Sequence, residues 1–390
     1  MDGMRIVIAP DSFKGSLSAR EAADAIARGI RGALPDADIV AIPMADGGEG
    51  TTQALVDATG GRLVPARVTG PLGTPVTASW GMLGDGITAA IDMAQAAGLT
   101  LAADHPDPLG ATTYGVGELI RAALDHGARR LIVGLGGSAT TDGGAGMAQA
   151  LGVRLLDGDG ADLPRGGAAL ARLEHIDTAG LDPRLARTPI TLACDVTNPL
   201  TGPHGAAAVF GPQKGATPAM VGRLDAALAH YAAVILQDTG RDVATAPGSG
   251  AAGGLGAGFL AFTGATMRSG VDLVLDATGF AALAAGADWC ITGEGRIDGQ
   301  TRYGKTPMGV ARAARQASPG CRVIALAGSL GTDAGELAGL NDQGFTTILP
   351  IQPGAVGLEQ ALAHAADDLE RTAGQVARLI VAARCHNDQA

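Results

Sequence analysis

The two ends of this chain follow one pattern and its middle follows another, and that contrast limits the folds open to it. Residues 4–9 (MRIVIA) form an apolar run of strand length, followed by a polar loop and a helix from Ser18 to about residue 34. Ser18 with Glu21 three positions on is a capping box, the signature of a helix start. Residues 38–42 read as a second strand, followed by PMADGGEG and a helix over 51–58. The alternation returns late in the chain, with strands at 289–291, 323–327 and 346–349 and helices at about 308–317, 332–340 and 358–383. Strand–loop–helix repetition predicts a parallel sheet covered by helices. Residues 62–68, 74–82 and 87–93 instead read as successive antiparallel strands with tight turns, followed by a helix over 115–126 and a strand over 130–133. The segment 155–187 reads as exposed turns. The expected fold class is therefore α/β with two domains. Both chain ends (1–61 and 287–390) build a parallel-sheet domain, and a mixed α/β domain (62–286) is inserted into it.

Charge and composition narrow the partners. A length of 390 residues suits two ordinary domains with ample cores. The net charge is -11 and no basic run exists to neutralise a phosphate backbone, which argues against nucleic acid. The cysteines (Cys194, Cys290, Cys321 and Cys385) form no C-x-x-C pair, and three lie in or beside apolar runs as small hydrophobes. No secretory signal and no uninterrupted apolar run of spanning length is visible, so the expected setting is cytoplasmic, without a membrane partner. Arginine occurs 25 times and lysine only three times, as Lys14 in DSFKGS, Lys214 in GPQKGA and Lys305 in YGKTP. All three lie in glycine-flanked loops, where a compact, flexible point charge reaches an anion that a planar fork does not fit.

The chemistry gathers in loops that follow strands. ITGEGRIDGQTRYGKTP (291–307) holds Glu294, Arg296, Asp298, Arg302 and Lys305 among glycines, a charge density that calls for solvent or an ionic ligand. Within it, GQTRYGKT matches the phosphate-loop pattern G-x-x-x-x-G-K-[ST]. The match starts about seven residues after the strand at 289–291, however, and Pro307 removes an N–H such a cradle needs, so the loop is read as an anion site of another kind. Asp46 and Glu49 flank glycines in ADGGEG, which suits phosphate-bound Mg²⁺ or a polyhydroxy substrate. GLGGSATTDGGAG (134–146) sets Gly136, Gly137, Ser138, Thr141 and Asp142 before a helix, as an anion nest would. Asp195 and Asn198 sit at another strand end. The run GSGAAGGLGAG (248–258), with Gly253 and Gly254, serves either as a second phosphate contact or as close helix packing. If the terminal segments share one sheet, Lys14, Asp46, Glu49, Glu294–Lys305 and Ser329 all open at its carboxyl edge, where α/β proteins bind ligands.

In order along the chain, APDSFKGSLSA, PMADGGEGT, GLGGSATTDGGAG, ACDVTNPLTGPHGAAAVFGPQKGA and TGEGRIDGQTRYGKTP resemble the bacterial glycerate kinase family of the first type over nearly the whole length. The resemblance implies a flavodoxin-like (Rossmann-like) domain built from both chain ends with a second α/β domain inserted. It also implies ATP- and Mg²⁺-dependent phosphorylation of D-glycerate, usually to 2-phosphoglycerate, with a homodimer allowed for. Phosphoryl transfer needs alignment and charge neutralisation more than covalent help. On that basis Lys14 and Lys305 flank the transferred group, Asp298 or Asp195 accepts the proton, and Arg296 forks the carboxylate. Asp46 and Glu49 fix the substrate hydroxyls, Gly136, Gly137, Ser138, Thr141, Gly253 and Gly254 hold the nucleotide, and Asp142 or Asp195 places Mg²⁺.

Two rivals stand beside this reading. A different small-molecule kinase, of the galactokinase–homoserine kinase group, shares a loop like GLGGSA over a few residues. A non-enzymatic nucleotide sensor needs the phosphate nests but not the acid-rich DGGEG and GEGRIDG loops.

Overall fold

The structure is a computed structural model that describes residues 4–299, 301, 305–331 and 333–387. Arg302 lies outside the described residues. The chain divides into two units, Met1–Asp46 with Val271–Ala390 and Gly47–Gly270. The alternation of elements had suggested boundaries near 61 and 287, and local packing explains the difference. Helix Thr51–Thr59 lies on the second unit's sheet, its Thr52 and Val56 pressed against Gly81 so closely that a Cβ there would meet Val56 Cγ2 at 2.4 Å. Val271, at the other junction, packs on Gly309 of the first unit.

In chain order the strands are β1 (Arg5–Pro10), β2 (Asp38–Ala41), β3 (Arg62–Thr69), β4 (Pro75–Met82), β5 (Thr88–Asp92), β6 (Arg130–Gly134), β7 (Arg154–Leu156), β8 (His175–Asp177), β9 (Ile190–Ala193), β10 (Thr266–Arg268), β11 (Trp289–Ile297), β12 (Arg322–Leu330) and β13 (Thr347–Pro350). The first unit holds a five-stranded sheet in the order β13-β12-β11-β1-β2, parallel throughout. Counted within the unit this is the flavodoxin order 2-1-3-4-5, whose direction of winding reverses between β1 and β11. Both chain ends thus supply one sheet, and the fold class expected from the alternation is the one observed. Ile6, Ile8, Ile26, Ile30, Ile291, Leu326, Leu369 and Val376 form the core between this sheet and the helices Ala19–Ala33 and Ala365–Asn387. Truncating one such isoleucine to alanine costs about 2–5 kcal/mol. Ser18 caps helix Ala19–Ala33 with the full reciprocal box to Glu21.

The second unit carries a six-stranded mixed sheet, β10-β9-β6-β5-β4-β3, in which β5, β6, β9 and β10 are parallel and β3, β4 and β5 are antiparallel. The segment read as exposed turns contains the antiparallel pair β7–β8 and short 3₁₀ turns. Its Leu155, Leu163, Leu170, Leu173 and Ile176 are buried against helix Pro218–Thr239. Apolar residues spaced among glycines and aspartates hid that layer from periodicity. Helix Pro218–Thr239 is long and apolar enough to cross a membrane, yet its Leu224, Leu228, Tyr231 and Ile235 face is part of this core.

Candidate active site

The loops after β1, β2, β11 and β13, with the carboxyl ends of β11 and β12, line one cavity of about 300 Å³ in the first unit. Its position at the carboxyl edge, beside the winding reversal, is where open α/β sheets bind ligands. Asp11 follows β1 directly and is 4% exposed. Its Oδ1 accepts from the Ser12 N–H at 2.6 Å and its Oδ2 from the Thr306 hydroxyl at 2.6 Å. Burial, with Asp46 nearby as a second negative charge, pushes the Asp11 carboxyl up to about 6. Met44 N donates to Pro10 O, which holds the chain after β2 alongside β1 and brings Asp46 to the same mouth. There Lys14 Nζ stands 3.9 Å from Asp46 Oδ2, with the lysine side chain 75% exposed over the opening.

The organising segment 291–307 differs from its reading as a loop throughout. β11 runs on to Ile297, pairing Glu294 with Ala327 and Arg296 with Ser329 of β12. Glycines allow the extension: a Cβ on Gly293 would meet Leu326 O at 2.1 Å, and one on Gly328 would meet Gly295 O at 2.5 Å. Charged residues ended the apparent strand in the sequence, whereas backbone pairing does not depend on them. Glu294 and Arg296 fall two apart on this extension and so share one face of the strand. Both line the cavity.

Glu294 is a second, largely buried carboxyl of the site. Its Oε1 accepts from the Thr301 hydroxyl at 3.1 Å and lies 3.9 Å from Lys305 Nζ. Burial raises its pKa to about 7 against the opposing pull of Lys305. Lys305 occupies the N-cap position of helix Thr306–Ala317, and its side chain is about one-third exposed to the cavity. Arg296 Nε donates to Asp298 Oδ2 at 3.0 Å, leaving most of the guanidinium exposed. Asp298 thereby orients the arginine. The structure thus brings Lys14, Asp46, Arg296 and Lys305 to one cavity, with Asp298 bonded to Arg296. Sequence reading had assigned neither Asp11 nor Glu294 a role, because burial is what makes each chemically distinctive.

The remaining candidates belong to the second unit. Gly136 packs on Gly48 so tightly that an added Cβ would lie 2.5 Å from Gly48 Cα, which joins the GLGG and DGGEG loops. Gly137 and Glu49 are exposed on these loops. Asp92, buried, accepts from the N–H groups of Gly50 and Thr52 and from the Thr52 hydroxyl, fixing the start of helix Thr51–Thr59. Ser138 is buried and accepts from Lys214 Nζ at 2.8 Å. Asp195 Oδ1 accepts from Gly270 N at 3.0 Å.

Three expectations need correction here. Asp142 is fully buried and accepts from the N–H groups of Thr113, Gly144 and Gly146 and from the Thr113 hydroxyl, so it braces the loop and has no open face for a metal. Thr141 is likewise wholly buried and offers no hydroxyl to a phosphate. Gly253 and Gly254 are buried against the backbone of residues 140–143, with a Gly253 Cβ meeting Thr140 O at 1.8 Å. That run is close packing through small residues, not an open phosphate cradle. Among the described residues no group of three or more His, Cys, Asp or Glu side chains has the arrangement to hold a metal ion.

A flavodoxin-order sheet whose switch-point cavity combines two lysines, an oriented guanidinium and a buried high-pKa carboxyl is an α/β enzyme site built for an anion. Residues 6–381 match the model of the glycerate kinase family. The glycerate kinase of Bacillus subtilis (strain 168) is 54% identical over 382 residues, covering 98% of this chain and 99% of that protein. The glycerate 2-kinase of Escherichia coli (strain K12) is 49% identical over 375 residues, covering 96% and 97%. A crystal structure described as glycerate kinase 2 of Salmonella typhimurium LT2 superimposes with a TM-score of 0.86 at 50% identity, covering 98% of this chain and all of that one. The chain belongs to the glycerate kinase family, and it is an enzyme, a kinase.

Proposed function

We propose that the enzyme transfers the terminal phosphoryl group of ATP to the 2-hydroxyl of D-glycerate, giving 2-phosphoglycerate and ADP in the cytoplasm. The observation that carries this reading is Glu294 in the cavity: a carboxyl with a pKa near the working pH, 3.9 Å from Lys305 and on the same strand face as Arg296. A proton acceptor works best when its pKa lies close to ambient pH. The name of the Escherichia coli relative supports the choice of the 2-hydroxyl.

In this reading Arg296, held by Asp298, takes the glycerate carboxylate through two parallel N–H donors. Asp46 receives a substrate hydroxyl. The 2-hydroxyl oxygen attacks the terminal phosphorus, the bond from that phosphorus to the bridging oxygen breaks, and the hydroxyl proton passes to Glu294. Lys14 and Lys305 meet the charge on the transferred group from two sides, which is most of what phosphoryl transfer asks of a protein. Magnesium bound to the nucleotide supplies further neutralisation. Carried by the nucleotide in this way, the ion would need only one or two protein carboxylates, as is usual for it.

The test follows ATP-dependent turnover of D-glycerate with enolase alone, then with enolase plus phosphoglycerate mutase. Signal with enolase alone supports transfer to the 2-hydroxyl. Signal only after mutase is added assigns the terminal hydroxyl, and silence with both removes glycerate.

A further inference from the structure

The cavity of the first unit has two unlike walls. One is the charged set at the strand ends. The other is apolar, made by Phe13, Ile351, Leu358 and Leu362 with two alanines, and Gln352 stands at its edge. Leu358 and Leu362 lie one turn apart on the short helix Leu358–Ala363, which has no buried residue. Leu358 is 75% exposed and Leu362 36%. A single exposed leucine needs no explanation, but two facing the same charged cavity leave apolar surface where a ligand must sit. This wall is also fixed to the lysine loop, since Ser16 Oγ donates to Leu362 O at 2.7 Å, two residues after Lys14.

A three-carbon hydroxy acid is polar on every side and has nothing to place against such a wall. A purine does, because its faces bury well on aliphatic side chains while its edge carries donors and acceptors. A phosphate chain running from that base would meet Lys14 and Lys305 in the same cavity, which gives the charge complementarity the wall itself lacks. Of the second unit's two nucleotide candidates, the run 248–258 is closed by backbone packing, while the GLGG loop, with Gly137 exposed, offers backbone N–H groups but no apolar wall for a base. We infer that the Leu358–Leu362 wall is the subsite for the base of the nucleoside triphosphate, with the Gln352 amide, which both donates and accepts, at the base edge. The inference rests on the reading of the enzyme as an ATP-dependent kinase.

The experiment uses the full chain with Leu358→Ser and, separately, Leu362→Ser, and measures ADP and inorganic tripolyphosphate binding by calorimetry alongside the Michaelis constants. Losing one apolar contact of this kind weakens binding about tenfold. The expected result is ADP affinity and the constant for ATP each worse by about tenfold in both variants, with tripolyphosphate affinity and the constant for glycerate within about twofold of the parent. Unchanged ADP affinity in both variants overturns the inference, as does an equal loss for ADP and tripolyphosphate. If the parent protein fails to phosphorylate glycerate while ADP binding still falls selectively in the variants, the acceptor is misassigned and the base subsite stands.

Discussion

The Thr306 hydroxyl donates to Asp11 Oδ2 at 2.6 Å across a sequence separation of 295 residues. That bond ties the first residue of the helix after the β11 loop to the residue that follows β1 and lines the cavity. Thr306→Val keeps the shape and removes the donor. A buried hydrogen bond to a charged acceptor contributes about 1.5–3 kcal/mol, so a loss of that size in urea unfolding is expected. Asp11 should also titrate higher than its present value of about 6, because the bond opposes the effect of burial.

Glu294→Gln removes the carboxylate proposed to accept the proton while keeping the Thr301 contact. Turnover should fall about 10²–10⁴-fold, and the acidic limb near pH 7 should vanish from the pH profile. The sign for stability is opposite. A carboxyl raised from 4.5 to about 7 on folding contributes stability that is present below 4.5 and lost as pH rises to about 7. The variant should therefore melt higher than its parent at pH 8, with a flatter profile between pH 4.5 and 7. A lower melting temperature at pH 8 would count against a buried charge there.

Lys214 Nζ donates to Ser138 Oγ at 2.8 Å and to Thr140 O at 2.6 Å, and burial lowers its pKa to about 7. In the folded protein it sheds its proton more readily than in the unfolded chain. Stability from this group therefore rises between about pH 7 and 10.5, where the unfolded chain binds more protons. Lys214→Met leaves the Thr140 carbonyl unpaired, costing about 1–3 kcal/mol, and should erase that rise. Calorimetric melting across the alkaline range checks both parts.

Gly136→Ala adds a Cβ 2.5 Å from Gly48 Cα, a contact between two backbones with no flexible side chain to yield. Overpacking of this kind costs about 1–3 kcal/mol. Leu55→Ala, a cavity on the buried side of the neighbouring helix, is the comparison: similar stability loss without displacement of the DGGEG loop. Limited proteolysis at residues 47–50 should increase in the glycine variant alone.

Arg296→Lys keeps the charge but cannot make two parallel N–H bonds to a carboxylate. Its Michaelis constant for glycerate should rise about tenfold or more with ATP affinity unchanged. An unaltered constant for glycerate would remove Arg296 from the carboxylate contact.

Much of the fold was legible in the sequence, for stated physical reasons. Apolar runs followed by glycine loops and capped helices gave the sheet of the first unit, and the Ser18–Glu21 box is present as read. What stayed hidden depends on tertiary contact. Apolar patterning ended β11 at Ile291, whereas pairing with β12 carries it to Ile297. Composition made Asp142 resemble an open ligand, and only its enclosure by four donors of residues 113, 144 and 146 shows a brace. The retention of lysine at only three positions pointed to Lys14 and Lys305 at the cavity, but not to Lys214 as an internal tie. Nothing local marks Glu294 as special, since its high pKa arises from burial by segments distant in the chain.

The pairing of β1 with β11 also sets an order of assembly. Thr292 reaches back 283 residues to bond Ala9 O. During synthesis β1 and β2 emerge first and must wait for their partner strand, while residues 47–270 form a continuous unit with its own sheet and cores. The central strand of the first sheet stays unpaired on one edge until β11 leaves the ribosome. The cavity that holds Lys14, Glu294 and Lys305 is consequently among the last features of the nascent protein to exist, and a stalled or truncated chain carries the inserted unit without that cavity.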